Sequence, residues 1–220
     1  MPILAYILTA LAAYLLGSIP TGFLAAKARG IDIRAVGSGN IGATNAMRVL
    51  GKPMGIFVLL MDAAKGFIAC SFIPGLVWQL APHYPELFPH LRGSLFGTKY
   101  FLIAGIFAVL GHNYPCWLRF KGGKGIATTA GVYLALAPWA VLVALVVFIF
   151  AVLATRYVSI ASISAAVALP ATVWIMSPDN LFLGIVTTAL GALAIYKHKS
   201  NIQRLMAGIE NRLGKRKEEK

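Results

Sequence analysis

Residues 126–154 read IATTAGVYLALAPWAVLVALVVFIFAVLA and contain no charged side chain. A transmembrane helix needs about 20 residues, within a range of about 17–25, so this stretch is long for a single span. Pro138 interrupts it, and a proline inside a helix removes an N–H donor and clashes with the preceding turn. The stretch therefore predicts two short helices, 126–137 and 139–154, joined by a tight turn.

The rest of the chain has the composition of a membrane protein. Of its 220 residues, 59% are hydrophobic and 12% are charged, which is about half the charged share of a soluble domain. We predict an all-α polytopic membrane protein with seven transmembrane helices, which form a single domain over residues 1–220. The other five apolar stretches are 3–26, 54–78, 100–118, 158–176 and 181–196. No Lys or Arg precedes Lys27, so we expect residues 1–26 to be a retained first span and not a signal peptide.

The basic residues lie mainly between the apolar stretches, although the net charge is +13. This distribution favours membrane topology and anionic ligands over nucleic acid. With the N-terminus outside, 17 of the 20 Lys and Arg residues lie on the cytoplasmic side, eight of them in a basic tail at 197–220. Arg92 and Lys99 lie outside, in a solvated loop at 79–99. Because cytoplasmic loops carry an excess of Lys and Arg, seven spans are preferred over six.

The first polar loop, residues 37–45, reads GSGNIGATN and is followed by Arg48. It contains the pattern GxGxxG, and Asp62 lies 20 residues beyond the last glycine. A dinucleotide fingerprint requires a preceding strand and a βαβ unit, whereas an apolar span precedes this loop. The hydroxyl, amide and guanidinium groups of the loop instead predict a phosphate site. The alternative interpretation is a polar loop at the membrane interface.

The second polar loop, residues 121–128, reads KGGKGIAT. Glycine allows backbone N–H groups to converge on an anion, and lysine supplies a point charge for phosphate. Gly125 stands where a Walker A motif has Ser or Thr, so ATP hydrolysis is disfavoured. The alternative is a basic loop that only sets topology. His112 and Asn113, just before this loop, either cap the third span or line a site.

Further polar residues allow both structural and functional interpretations. His198, Asn201 and Arg204 are spaced by three and are predicted to share one helix face, which either meets the two loops or lies against lipid. Asp62 and Lys65 lie inside the second span and are predicted to pair either with each other or with a polar cavity, in a structural more than a catalytic role. The start of the sixth span carries hydroxyl residues that either pack helices closely or contact substrate; they are Ser159, Ser162 and Ser164.

Several catalytic patterns are missing from the sequence. It contains no His-x-x-x-x-Asp pair, no serine nucleophile elbow and no metal-ligand set. Cys70 and Cys116 show no paired or metal-binding spacing and are expected to be small buried hydrophobic residues. An enzyme built in this way would depend on positioning and charge stabilisation, with an activated donor. We expect neither a cofactor nor a metal.

Five motifs in order resemble the bacterial acyl-phosphate:glycerol-3-phosphate acyltransferase family. They are GSIPTG at 17–22, GSGNIGATN with Arg48, GHNYP at 111–115, FKGGKGIAT at 120–128 and KHKSNIQRL at 197–205. The resemblance implies a seven-helix enzyme of the inner (cytoplasmic) membrane, with its active site facing the cytoplasm. Such an enzyme moves a fatty acyl group from acyl-phosphate to the 1-hydroxyl of glycerol-3-phosphate. The products are lysophosphatidic acid and phosphate, and the reaction is the first step of phospholipid synthesis.

The implied partners are the two substrates, membrane lipids and the enzyme that supplies acyl-phosphate. The loop chemistry and the resemblance together assign catalytic roles to Ser38, Arg48, Lys124 and His198. The predicted substrate-binding residues are Gly39, Asn40, Thr44, Asn45, His112, Asn113, Lys121, Gly122, Gly123, Gly125, Thr128, Ser162, Asn201 and Arg204. The alternative function is a transporter or flippase for phosphorylated solutes or lipids, a class in which inverted repeats and broken helices are common.

Overall fold

The computed structural model describes residues 3–80 and 98–214, and this part of the chain is helical, without a strand. A short 3₁₀ turn, Cys116–Leu118, follows the helix Thr98–Asn113. The predicted external loop at 79–99 and the end of the basic tail lie largely outside the described residues. The helices are α1 Ile3–Gly17, α2 Thr21–Lys27, α3 Ala43–Leu50, α4 Lys52–Leu80, α5 Thr98–Asn113, α6 Ile126–Leu136, α7 Pro138–Thr155, α8 Val158–Met176, α9 Leu181–Lys197 and α10 Lys199–Met206.

All seven apolar stretches are helical, which confirms the all-α prediction for the described residues. Five segments there are long and apolar enough to cross a membrane: Ile3–Lys27, Lys52–Val77, Lys99–Leu118, Pro138–Thr155 and Val158–Met176. Helices α9 and α10 make a sixth if this pair, bent by 52°, counts as one span. Helix α6 is apolar but has only 11 residues. The protein is therefore a multi-pass membrane protein, while the count of seven spans and their orientation stay predictions.

Proline 138 breaks the longest apolar stretch as expected. Helix α6 ends at Leu136, and α7 begins at Pro138 after an N-cap at Ala137. Proline is tolerated at the first helical position because its missing N–H would have no intrahelical acceptor there. The same break separates two compact units, residues 1–136 and 137–220. This division into compact units does not test whether the chain is a single membrane domain, which stays a prediction.

The first unit is built around α4, which contacts α1, α3, α5 and α6. Glycines permit this close packing. A Cβ on Gly131 of α6 would overlap the carbonyl oxygen of Ala63 on α4, and one on Gly17 of α1 would overlap that of Ala108 on α5. Membrane helices gain no hydrophobic driving force when they associate in lipid, so their association depends on close packing, which small residues permit. This packing fixes the helix ends from which both polar loops emerge.

In the second unit α8 packs against both α7 and α9. The chain after α10 returns to the turn between α7 and α8. The backbone N–H of Leu213 donates to the carbonyl of Arg156 at 2.8 Å, and Nε of Arg212 donates to the hydroxyl of Tyr157 at 2.8 Å. The tail of this unit, as far as residue 214, is therefore an ordered part of the fold.

Candidate functional site

The first polar loop is organised around Asn45, in the first turn of α3. This side chain is 1% exposed. Its Nδ2 donates to three backbone carbonyls, those of Ile33 and Val36 just before the loop and that of Asn40 within it, at 3.2, 3.1 and 2.9 Å. Its Oδ1 accepts from the backbone N–H of Ser38 at 2.8 Å. The structure therefore places Asn45 beneath the loop, where it holds the backbone in shape.

Two glycines of this loop are required by its backbone. Gly37 and Gly39 have φ values of 67° and 72°, in the left-handed region that residues with a Cβ rarely adopt. A Cβ on Gly37 would in addition overlap Oδ1 of Asn45. Asn40 accepts from the backbone N–H of Gly42 at 2.8 Å and shapes the turn into α3. The glycines thus allow a compact loop, and among the described residues before it, 3–36, there is no strand of the kind that a dinucleotide fold would require.

The side chains of the first loop and of Arg48 that are predicted to bind phosphate lie further out than Asn45. The side chain of Arg48 is exposed, and its guanidinium approaches Oδ1 of Asn45 at 3.4 Å. Thr44 is exposed and Ser38 is half-buried. Because the N–H of Ser38 is fixed by Asn45, the position from which its hydroxyl projects is also fixed. Ser38, Thr44 and Arg48 are thus predicted site residues whose side chains a ligand can reach.

A charge pair lies at the entrance to the first loop. Both side chains, Asp32 and Arg34, are exposed, and their closest charged atoms are 2.8 Å apart. Hydrogen bonds from Arg34 lower the pKa of Asp32 to about 2. The guanidinium of Arg34 also lies 4.8 Å from the centre of the Phe23 ring. The charge of Arg34 is therefore compensated locally, and we assign it no role in binding phosphate.

The second polar loop folds back onto the end of α5. The backbone N–H of Gly122 donates to the carbonyl of Asn113 at 3.2 Å, and that of Gly123 donates to the carbonyl of His112 at 3.0 Å. A Cβ on Gly123 would overlap Nε2 of His112. His112 and Asn113 are 5% and 0% exposed. The structure thus places both of them behind the loop, as its support.

A strained turn leads into this loop. Arg119 and Phe120 both have positive φ, 52° and 60°, a conformation that costs of order 1–3 kcal/mol for each residue other than glycine. The N–H of Phe120 donates to the carbonyl of Pro115 at 3.0 Å and closes the turn. Strain of this size persists only where surrounding contacts enforce it, and it is concentrated at functional sites. The turn directs the chain into the basic glycine segment.

The second loop ends at the N-terminus of α6. Gly125 has a φ of 82°, and a Cβ there would lie 2.8 Å from Oδ1 of Asn113. The N–H of Thr129 donates to the carbonyl of Gly125 at 2.7 Å, which is the first bond of the helix. Thr128 is fully buried. Lys121 is exposed and Lys124 is half-buried, so two cations flank glycines at a helix N-terminus, a place that favours anions.

Asp62 and Lys65 pair with each other inside α4, which is one of the two arrangements predicted from the cost of unpaired charge in a span. Nζ of Lys65 lies 2.9 Å from Oδ1 of Asp62 and donates to the carbonyl of Ile19 at 2.9 Å. The same carboxylate oxygen lies 3.6 Å from Nδ1 of His112. The sequence indicated the pair but not its relation to His112, because 47 residues separate His112 from Lys65.

The predicted tail residues belong to the second unit. His198 is 3% exposed, lies between α9 and α10, and its Nδ1 is 2.8 Å from the carbonyl of Ala194. Asn201 and Arg204 both donate to the carboxylate of Glu210, at 2.7 and 2.6 Å. The shared face is therefore an internal network, and Glu210 is a member that the sequence reasoning did not assign. The available signal was that Glu210 is the only acidic residue in the sequence between Lys197 and Lys217.

Ser162 is 5% exposed within α8, as expected of a small residue that packs helices together. Substrate-binding roles for Ser162, His198, Asn201 and Arg204 stay predictions. In the described chain, no group of three His, Cys, Asp or Glu side chains is placed to hold a metal ion. Cys70 is buried and Cys116 is half-buried, and both are free thiols.

Known proteins are similar to this sequence over most of its length. The protein-family model described as glycerol-3-phosphate acyltransferase matches residues 7–208. The chain belongs to this family. The matched range contains both polar loops, the charged residues of α4, Asn201 and Arg204, whereas Glu210 lies two residues beyond its end.

Individual relatives agree with this assignment. The glycerol-3-phosphate acyltransferase of Geotalea daltonii is 46% identical over 199 residues, which cover 90% of this chain and 93% of the relative. The enzyme of Geobacter sulfurreducens, with the same name, is 46% identical and covers 94% of this chain and 96% of its own.

Solved structures of the family have the same fold. The crystal structure of PlsY, an integral membrane glycerol 3-phosphate acyltransferase, in its glycerol 3-phosphate form, has a TM-score of 0.81 to this chain at 37% identity. The match covers 95% of this chain and 96% of that one. The lysophosphatidic acid form has a TM-score of 0.78 at 36% identity and covers 95% of both chains. The similarity to the acyltransferase family predicted from the motifs is thereby confirmed.

Proposed function

We propose that this membrane acyltransferase transfers a fatty acyl group from acyl-phosphate to the 1-hydroxyl of glycerol-3-phosphate. The products are lysophosphatidic acid and inorganic phosphate. The names of its relatives support glycerol-3-phosphate as the acceptor. The two forms of the PlsY crystal structure, one with glycerol 3-phosphate and one with lysophosphatidic acid, support an acceptor and a product of this kind.

The geometry of the second polar loop, in which two lysines flank closely packed glycines, is the main support for the proposal. Gly122 and Gly123 lie directly on His112 and Asn113, with no room for side chains. This packing holds Lys121 and Lys124 on either side of the glycines, next to the first turn of α6. The N–H groups of a first helical turn have no intrahelical acceptor, and together with a lysine they form a favourable phosphate environment.

The chemistry requires little more than binding and charge stabilisation. The 1-hydroxyl oxygen bonds to the acyl carbon, the bond from that carbon to the phosphate oxygen breaks, and phosphate leaves. Acyl-phosphate is a mixed anhydride and is sufficiently activated to need no nucleophile from the enzyme. Lys124 stabilises the charge that develops on the leaving phosphate. A phosphate group of a substrate takes the hydroxyl proton, while Ser38 hydrogen-bonds the reacting groups.

We further propose the topology that fits this reaction. The chain has seven spans in the inner (cytoplasmic) membrane, an outer N-terminus and a cytoplasmic tail. The placement of 17 of the 20 Lys and Arg residues on the cytoplasmic side supports this orientation. Both polar loops then face the cytoplasm, where glycerol-3-phosphate is available. The acyl-phosphate comes from a separate enzyme that makes this labile donor.

Product formation in detergent tests the proposal directly. Purified protein is given acyl-phosphate and glycerol-3-phosphate, and lysophosphatidic acid is measured by mass spectrometry. We expect a product that depends on both substrates and on the protein. A detergent micelle does not separate two aqueous compartments, and a transporter or flippase would form no lysophosphatidic acid in this assay. Protein that is folded and monodisperse but forms no lysophosphatidic acid would refute the proposed function.

A further inference from the structure

The first span is interrupted between α1 and α2, and a charge from α4 reaches this break. Pro20 has no N–H to continue the helix, and Ile19 lies in the break between the end of α1 at Gly17 and the start of α2 at Thr21. Nζ of Lys65 donates to the carbonyl of Ile19 at 2.9 Å. Lys65 is 5% exposed. The ammonium group thus joins the break in the first span to the middle of α4.

The partner of Lys65 extends the connection to α5. Oδ1 of Asp62 lies 2.9 Å from Nζ of Lys65 and 3.6 Å from Nδ1 of His112. Asp62 is 2% exposed and His112 is 5% exposed. A buried ion pair is weak as a source of stability, because desolvation offsets most of the attraction. Its value in this position is geometric, since one carboxylate oxygen lies next to both an ammonium and an imidazole.

The imidazole is also the surface against which the second polar loop is built. A Cβ on Gly123 would overlap Nε2 of His112, which is the other ring nitrogen from the Nδ1 that faces Asp62. The carbonyl of the same residue accepts from the N–H of Gly123. A change in the ring position would therefore displace the loop backbone. All these contacts lie within the first unit.

We propose that Asp62 and Lys65 are positioning residues for the second polar loop and act through His112. They hold the imidazole ring in the position against which Gly123 packs, and so keep the loop in its phosphate-binding shape before substrate arrives. Preorganisation of this kind raises affinity because the loop loses less conformational freedom on binding. The inference rests on the proposed function, since it assigns the loop to phosphate.

The test compares Asp62→Asn with wild-type protein by two independent readouts. The first is hydrogen–deuterium exchange of peptides that contain the amides of Gly122 and Gly123, in detergent and without substrate. The second is a full set of KM and kcat values for acyl-phosphate and glycerol-3-phosphate. Asparagine keeps the size of the side chain and one acceptor for Lys65 but removes the charge that holds His112. Asp179→Asn, at an exposed position before α9, is the matched control.

We expect faster exchange of the loop amides in Asp62→Asn and a KM raised roughly threefold to thirtyfold for one phosphate substrate. The kcat should change less than the KM, whereas Asp179→Asn should match wild type in both readouts. If the unpaired charge of Lys65 prevents Asp62→Asn from folding, the neutral double variant Asp62→Asn/Lys65→Met is measured in its place. Removal of both charges avoids a lone buried ion. The double variant is expected to show the same two changes.

Combination with Gly123→Ala separates positioning from a general loss of stability. Both changes displace the ring from the loop, so their combined effect on KM should be clearly less than the product of the two single effects. Loop exchange and KM values equal to those of wild type in the folded Asp62 variants, or fully multiplicative effects with Gly123→Ala, would overturn the inference. Wild-type protein without acyltransferase activity would instead refute the proposed function, and the exchange readout would still test the positioning role.

Discussion

Gly123 lies so close to His112 that a Cβ at residue 123 would occupy the place of the imidazole Nε2. The two residues are also joined by a hydrogen bond from the N–H of Gly123 to the carbonyl of His112 at 3.0 Å. His112 thus contacts the loop through both its backbone and its side chain. This relationship makes the shape of the loop dependent on one buried ring.

Gly123→Ala is expected to reduce acyltransferase activity strongly, because either the ring or the loop must move. Loss of one well-placed phosphate contact is worth about 1.5–3 kcal/mol, which corresponds to roughly tenfold to a hundredfold in kcat/KM. The measurement is lysophosphatidic acid formation at limiting substrate. Addition of His112→Ala to the variant removes the overlapping atoms and should restore the exchange protection of residue 122. Wild-type activity in Gly123→Ala would show that the loop shape is irrelevant to turnover.

Lys124→Ala tests the charge of the loop separately from its shape. Alanine removes the ammonium group but leaves the backbone intact, so we expect a loss of about tenfold to a hundredfold in kcat/KM. Membrane yield and the melting temperature should stay at wild-type values. Lys217→Ala, in the basic end of the tail, is the matched control and should keep full activity. If Lys124→Ala kept near-wild-type kcat/KM, the loop would be no more than a topology signal.

Asn45→Ala should destabilise the protein more than its small change in volume suggests. The substitution leaves a loop N–H and several loop carbonyls without their partner, and an unsatisfied buried polar group costs about 1–3 kcal/mol. We expect a clear fall in the melting temperature measured in detergent. The neighbouring Thr44→Ala, at an exposed position, should leave the melting temperature unchanged. Equal melting temperatures for the two variants would contradict the organising role of Asn45.

The donor preference follows from the absence of a His-x-x-x-x-Asp pair in the sequence. Without this base the enzyme has no evident means to activate a hydroxyl for attack on a thioester, so acyl-CoA should fail as a donor. Acyl-phosphate of the same chain length should work under the same conditions. Initial rates of lysophosphatidic acid formation with the two donors provide the measurement. Comparable rates would mean that the donor assignment is wrong.

The proposed topology places positions 94 and 200 on opposite sides of the membrane. Single cysteines, Ser94→Cys and Ser200→Cys, are introduced after Cys70 and Cys116 have been replaced by alanine. An impermeant thiol reagent applied to intact cells should label the first and not the second, and inverted vesicles should reverse the result. Labelling of both positions from one side would eliminate the arrangement with seven spans.

Local sequence determined the helices and their ends to a good approximation. Apolar stretches of sufficient length form helices in a membrane because the backbone must satisfy its own hydrogen bonds there, and Pro138 ends one helix and starts the next through its own ring. The pairing of Asp62 with Lys65 was predictable for the same local reason. Two opposite charges three residues apart on a buried helix have each other as the nearest partner.

The roles within the site depended on contacts between distant residues. In sequence, Asn45 and Ser38 are equally good candidates for phosphate binding, but the fold buries Asn45 beneath the loop and leaves Ser38 half-buried. His112 left two interpretations open until the structure placed Gly123 on its ring. The sequence by itself thus determined the helices, the family and the polar loops. Only the tertiary structure decided which polar groups support the loops and which a ligand can reach, because burial depends on packing between segments far apart in the chain.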